Sequence, residues 1–411
     1  MNLTFFLKKN NKNKFLTKYF IWLYIVFVAG FFVLSTRVHR NYFYIFLLIP
    51  FFLCVDITFL KKIKFSKIFL VAFIFCVYMF LSLGWANAVS LEDSYESVRK
   101  GILVIAFLVL TVVFFQNNWN LVTRFFKYTC LFSGIFSCIT MALFYYKNQF
   151  SGRITGIGTL DNPIMAGNSY AAVALIAFFY FLVKKEVELR DKLKYFLVMI
   201  ASVMFVVLSQ SRGPLLALAV TLICCAVMFT PKYLPWILVG IILPLTAVYT
   251  SGLVNFTSLI TRADSYRISI WQQSWEIFLQ QPLFGYGFGG ARPEIFIAES
   301  LPASHSHNLF LATMLDGGAV ALVLIVALLA ISIFWSIRYF RETGDVTLLA
   351  LMMFAVLGNL TDGKTPIASP NHQWLYFWLP IGLVGAYELR HRLVRQLEIA
   401  VCKAPPIQES T

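Results

Sequence analysis

Long apolar runs separated by short charged or Gly- and Pro-bearing connections set the pattern of this chain from residue 19 onward. A bilayer span needs about 20 mostly apolar residues. Reading for such runs predicts twelve, at 19–35, 42–60, 68–85, 101–116, 125–146, 165–183, 195–210, 214–230, 233–250, 308–337, 347–358 and 374–389. One stretch breaks the rhythm. Residues 251–306 are too long for a plain connection and predict a mostly helical domain between spans nine and ten. The expected fold is an all-α polytopic membrane protein. It divides into a basic tail (1–18), spans one to nine (19–250), the loop domain (251–306), spans ten to twelve (307–389) and a second tail (390–411).

Composition agrees with lipid as the solvent. The 411 residues are 59% hydrophobic and 13% charged, whereas soluble chains run nearer 45–50% and about 25%. The net charge of +15 raises the question of a nucleic-acid partner, which the placement of the charge answers. Of 34 Lys and Arg residues, 23 fall in the segments that twelve spans with an inside N-terminus would place inside, and 11 fall outside. That bias predicts two cytoplasmic termini. It makes the charge a topology signal that meets anionic membrane lipids, not a nucleic-acid footprint. The first apolar run lacks an Ala-x-Ala-like cleavage site, so a retained helix is expected rather than a signal peptide. Six of the seven cysteines lie in predicted spans and Cys402 in the tail, which implies no disulfide framework.

Candidate chemistry is confined to the expected outer side. Ser211-Arg212-Gly213-Pro214 is a tight connection that either holds a guanidinium rigidly at the membrane face or lets it snorkel to headgroups. Residues 262–281 predict an amphipathic helix carrying Arg262, Arg267, Trp271 and Trp275, with Asp264 or Ser265 as N-cap. Its aromatic face suits the membrane interface or the underside of a sugar. The following Gly285-Tyr286-Gly287-Phe288-Gly289-Gly290 lacks the GxxxxGK[ST] pattern of a nucleotide loop. Ser304-His305-Ser306-His307-Asn308 stands at the mouth of span ten and offers a general base, a polar cap or a His-x-His metal site. No acidic or thiol partner lies nearby in sequence, so no metal is expected. The loop Asn359–His372 adds Asp362, Lys364 and His372, and the segment 153–167 adds Arg153, Asp161, Asn162 and Pro163. Arginine forks match phosphate oxygens. With a histidine base they suit transfer of a group from a lipid-linked phosphate. They suit ion conduction poorly, because charges are scarce within the predicted spans, Asp56 being one of the few acidic residues there.

Several of these elements in succession resemble the O-antigen ligase and polymerase superfamily. They are Ser211-Arg212-Gly213 with Leu216, Ser265-Tyr266-Arg267 with Trp271, Pro282-Leu283-Phe284-Gly285-Tyr286-Gly287, and His307-Asn308 followed by Gly317-Gly318, preceded by Arg153 and Asp161-Asn162-Pro163. The resemblance covers roughly residues 150–375, and the number of spans and the large loop look more like the ligase than the polymerase. It implies a bacterial inner-membrane enzyme with a periplasmic site that needs neither metal nor cofactor. The donor would be O-antigen on undecaprenyl diphosphate, the acceptor a sugar hydroxyl of lipid A–core, and the outcome inversion at the anomeric carbon. On that reading His307 is the base, and Arg212 and Arg267 hold the diphosphate. Asp362 orients the base or binds acceptor, with Arg153, Arg262, Arg292, His305, Asn308 and Trp271 as further substrate contacts. The alternatives are an O-antigen polymerase or protein O-oligosaccharyltransferase of the same superfamily. From another class, a lipid or glycan transporter would need two related halves with Gly- or Pro-broken spans.

Overall fold

The computed structural model describes residues 11–54, 66–117, 119–149, 152–182, 188–229, 231–252, 266–298, 301–303 and 305–402. Asp56, Arg262, Asp264 and Ser265 lie outside the described residues, as do 253–261 of the expected loop domain. In chain order the α-helices are α1 (Asn11–Gly30), α2 (Thr36–Tyr42), α3 (Ile49–Cys54), α4 (Lys67–Leu81), α5 (Leu91–Asn117), α6 (Asn120–Lys147) and α7 (Pro163–Leu175). There follow α8 (Leu189–Leu208), α9 (Arg212–Phe229), α10 (Leu234–Ser251), α11 (Arg267–Gln280), α12 (Leu309–Thr343), α13 (Thr347–Thr361) and α14 (Leu379–Cys402). A two-stranded antiparallel ribbon, Phe296–Ala298 with Leu301–Pro302, is the one sheet among the described residues.

Six helices among the described residues are long and apolar enough to cross a membrane: Lys67–Trp85, Leu91–Gln116, Asn120–Lys147, Pro163–Phe181, Arg212–Phe229 and Leu309–Thr343. Shorter apolar helices run over Tyr19–Gly30, Ile237–Ser251 and Thr347–Thr361. The span that begins at Pro163 is 89% buried against 33–50% for the other five, so it forms the hub while they face outward. Its Ala-, Gly- and Ser-rich sequence permits this, because small side chains let neighbouring helices approach closely. It packs against α8 and α9, while α5 packs on α14 and α4 on α12. Glu388 of α14 is fully buried and closes the start of α4, accepting from the backbone N–H of Lys67 and Ile68 and from the Ser66 hydroxyl.

α12 is broken near its start, where Gly318 adopts φ 67°, ψ −163°. A side chain would be strained at that φ, and a Cβ would stand 2.2 Å from the Leu283 carbonyl oxygen. The break frees two N–H groups. Ala319 donates to the Pro282 carbonyl (2.8 Å) and Val320 to the Leu283 carbonyl (3.4 Å), while Tyr286 N–H donates to Leu315 (2.9 Å). The Pro282–Tyr286 segment and the Gly317-Gly318 pair are therefore two halves of one joint, which docks α11 onto α12. α11 is also tied to the ribbon by Gln273, which exchanges 2.9 Å bonds with both backbone groups of Phe296.

Candidate functional site

Three backbone irregularities present the candidate side chains. Among the described residues five non-glycine positions have positive φ, and three of these are Gln210 (φ 50°), Tyr266 (φ 54°) and His307 (φ 50°). Gln210 precedes Arg212 by two residues, and Tyr266 immediately precedes Arg267. Left-handed geometry is costly for residues with a Cβ and concentrates at functional sites. Arg212 and Arg267 each occupy the first position of a helix, α9 and α11. Tyr266 stands at the N-cap of α11 without a side-chain cap bond, where Asp264 or Ser265 was the expectation. Asn308 caps α12, its side chain accepting from Phe310 N–H (2.9 Å) and Leu311 N–H (3.2 Å), so the turn that carries His307 is anchored to a helix end.

Two missing side chains bring these turns together. A Cβ on Gly213 would lie 2.7 Å from Thr361 Oγ1 and 3.7 Å from Arg267 Nη1. A Cβ on Gly363 would lie 2.6 Å from the Leu309 backbone nitrogen. The start of α9, the end of α13 and the start of α12 thus meet, and Asp362 at the C-cap of α13 sits among them. His307 Nδ1 is 2.7 Å from Asp362 Oδ1, and His305 Nε2 is 3.6 Å from the same oxygen, a charge-pairing distance rather than a short hydrogen bond. The two imidazoles lie 3.9 Å apart between centroids.

The electrostatics follow from burial and neighbours. Burial opposes ionisation of Asp362, but the histidines outweigh it and hold the carboxyl well below the usual carboxylate range. A carboxylate only accepts, so Nδ1 of His307 is the donor in this contact. Burial lowers the pKa of His305, with Asp362 acting in the opposite sense. Burial also lowers that of Arg267, where Asp362 supports the charge and Arg212 opposes it. Asp362 thus ties Arg267 electrostatically to the dyad, and Arg212 acts on Arg267. A pocket of about 180 Å³ opens here, lined by His305, His307, Asp362, Lys364, His372 and Asn162, with Ile164 and Met165 as apolar lining.

Other expected residues take different positions. Arg153 bonds the turn before α9, donating from Nε to the Ser209 carbonyl (3.1 Å) and from Nη2 to Ser211 Oγ (3.2 Å). Arg292 pairs with the buried Asp316 at 2.8 Å. Trp271 packs in the small core between α11 and α12 with Ile270, Ile277 and Leu315, whereas Ile268, Trp275 and Leu279 form the exposed face of α11. Asn162 caps α7 through Ile164 N–H as well as lining the pocket. His372 and Lys364 had no assigned role in the sequence, and only the folding of their loop over the pocket reveals one. His305, His307 and Asp362 each offer a donor atom within 4.8 Å of one another, a grouping that could also take a metal ion.

Residues 197–326 match the family model described as O-antigen ligase, a stretch that contains Arg212, Arg267 and His307. Over 373 residues the chain is 24% identical to a Pseudomonas aeruginosa protein named O-antigen ligase, with 90% of each chain covered. Of the residues that line the pocket, His305 and His307 fall within the stretch that matches the family model. Over these stretches the chain is similar to the O-antigen ligases.

Proposed function

We propose that the protein ligates O-antigen in lipopolysaccharide biosynthesis, moving the glycan from undecaprenyl diphosphate to a sugar hydroxyl of lipid A–core. The observation that carries the mechanism is the 2.7 Å contact of His307 Nδ1 with a buried carboxylate that lines a pocket and supports the charge of Arg267. A sugar hydroxyl is too weakly acidic to attack unaided. Nε2 of His307 takes its proton as the oxygen bonds to the anomeric carbon, and Asp362 stabilises the imidazolium that forms. The bond from that carbon to the diphosphate oxygen breaks in the same displacement, which inverts the anomeric centre. Undecaprenyl diphosphate leaves with its electron pair, and the two guanidiniums stabilise the growing negative charge.

In this reading the pocket faces the periplasm of the inner membrane, both termini are cytoplasmic, and the dyad works without a metal. A deletion strain tests it through its lipopolysaccharide. Loss of a ligase leaves core-only lipopolysaccharide while lipid-linked polymer accumulates; loss of a polymerase leaves a single capped repeat. Intact lipopolysaccharide with missing glycoprotein would redirect the assignment to protein glycosylation. Transfer by purified protein in detergent, with no gradient, separates an enzyme from a transporter.

A further inference from the structure

We propose that His372 contacts the acceptor, its imidazole hydrogen-bonding a hydroxyl of the acceptor sugar next to the one that His307 deprotonates. The inference deepens the ligase reading and rests on it for the identity of the sugar. His372 is 7% exposed and lines the same pocket as His305 and His307. Its Nδ1 is buried and has no hydrogen-bond partner among the described residues. Buried polar groups are normally satisfied, so a pocket-lining residue that carries an unpaired one points to a ligand.

The ring is nevertheless held in place. It stacks on Tyr376 with centroids 5.8 Å apart and planes at 28°. Tyr376 in turn bonds Asn359 through its hydroxyl (3.3 Å). The loop before it is pinned by two indoles, Trp374 Nε1 on the Ala368 carbonyl (3.0 Å) and Trp378 Nε1 on the Pro366 carbonyl (2.8 Å). A rigid side chain with an unmet hydrogen bond is how a preorganised contact is built.

The chemistry favours a hydroxyl over a phosphate. Burial pushes the His372 imidazole down to about 4, so it is neutral at physiological pH. A neutral imidazole offers one donor and one acceptor, which match hydroxyl groups. Phosphate oxygens only accept, and Arg212 and Arg267 serve them.

The test compares the purified full-length protein with His372→Phe, which keeps the stacking on Tyr376, and His372→Asn, which keeps a donor and an acceptor. Transfer is measured from lipid-linked O-antigen to rough lipopolysaccharide, with melting curves for each variant. His372→Phe should raise the acceptor KM about ten-fold with kcat and donor KM within about two-fold, and His372→Asn should recover most of the loss. An unchanged acceptor KM, or a fall in kcat alone, overturns the proposal. Should the phenyl variant fail to fold, His372→Leu carries the same comparison. Binding of rough lipopolysaccharide without donor separates the two readings. Wild-type binding that weakens in His372→Phe, without any transfer, would sink the ligase reading and keep the subsite. Transfer with equal binding by both proteins would do the reverse, and a wild type that neither binds nor transfers would sink both.

Discussion

Histidine meets carboxylate at both ends of α12, and the two pairs are built for different work. At the far end Glu342 accepts from Arg338 (2.9 Å), lies 3.2 Å from His391 Nε2 and takes a short bond from the Tyr387 hydroxyl. Arg338 and Arg392 lie over the Trp335 ring at 5.3 and 5.4 Å. All of these residues sit on regular stretches of α12 and α14, with Arg338 and Glu342 one helical turn apart. They close on one another and seam two helices together. At the near end the side chains come from a left-handed turn and a helix C-cap, and the acceptor oxygen of Asp362 is shared by two imidazoles that line a pocket. A saturated network stabilises; an under-saturated one, held rigid by strained backbone, is available to a substrate.

The sharpest way to break this contrast is to delete each histidine. His307→Ala should cut transfer by at least about a hundred-fold, the ordinary worth of a general base, and leave core-only lipopolysaccharide on a gel. His391→Ala should leave a normal ladder. Matching phenotypes would erase the distinction, and a normal ladder in His307→Ala would remove the base.

Arg212→Lys should reduce transfer about ten-fold, because lysine keeps the charge and loses the two-pronged fork. Full activity there would leave Arg212 as a guanidinium that merely meets headgroups.

Smaller still is the effect of pH on stability. Burial holds the His372 imidazole at about 4, against about 6.5 in an unfolded chain. As pH falls the unfolded chain binds the proton first. The stability contributed by this group is therefore full above about pH 6.5 and is lost as pH falls toward about 4. Asp362, Lys364 and His305 face the ring, and Asp362 stays ionised throughout that window. Melting temperature should drop over this range, less steeply in His372→Phe; equal slopes would show that other groups carry it.

The smallest expected effect is that of a chelator. His305, His307 and Asp362 are close enough to hold a metal ion, so unchanged transfer in EDTA supports the dyad, and loss restored by a divalent ion would replace it.

Much of the architecture was legible because it is local. Apolar runs, the Asn162-Pro163 opening of α7 and the Asn308 cap of α12 each depend on a handful of adjacent residues. The residues of the dyad were legible as types, and the motif succession made Arg212, Arg267 and His307 stand out. Arg292 and Trp271 read as substrate contacts in the sequence; the structure pairs the first with Asp316 and packs the second between two helices. Nothing near them in the chain announces those partners. The two glycine-bearing motifs were visible too, but not that they form the two sides of one break in α12.

What the sequence determined by itself is the solvent of each segment, the helical character that lipid imposes, and the family that its motifs resemble. Burying backbone in hydrocarbon leaves helices as the economical solution for such runs, and that needs no long-range information. The pairing of His307 with a carboxylate 55 residues away, the pairing of Arg292 with Asp316 and the placement of His372 on the pocket wall were decided by tertiary structure alone. Proximity across distant loops depends on where Gly213 and Gly363 let three helix ends approach. The ionisation of the site depends in turn on the burial and neighbours that this approach creates.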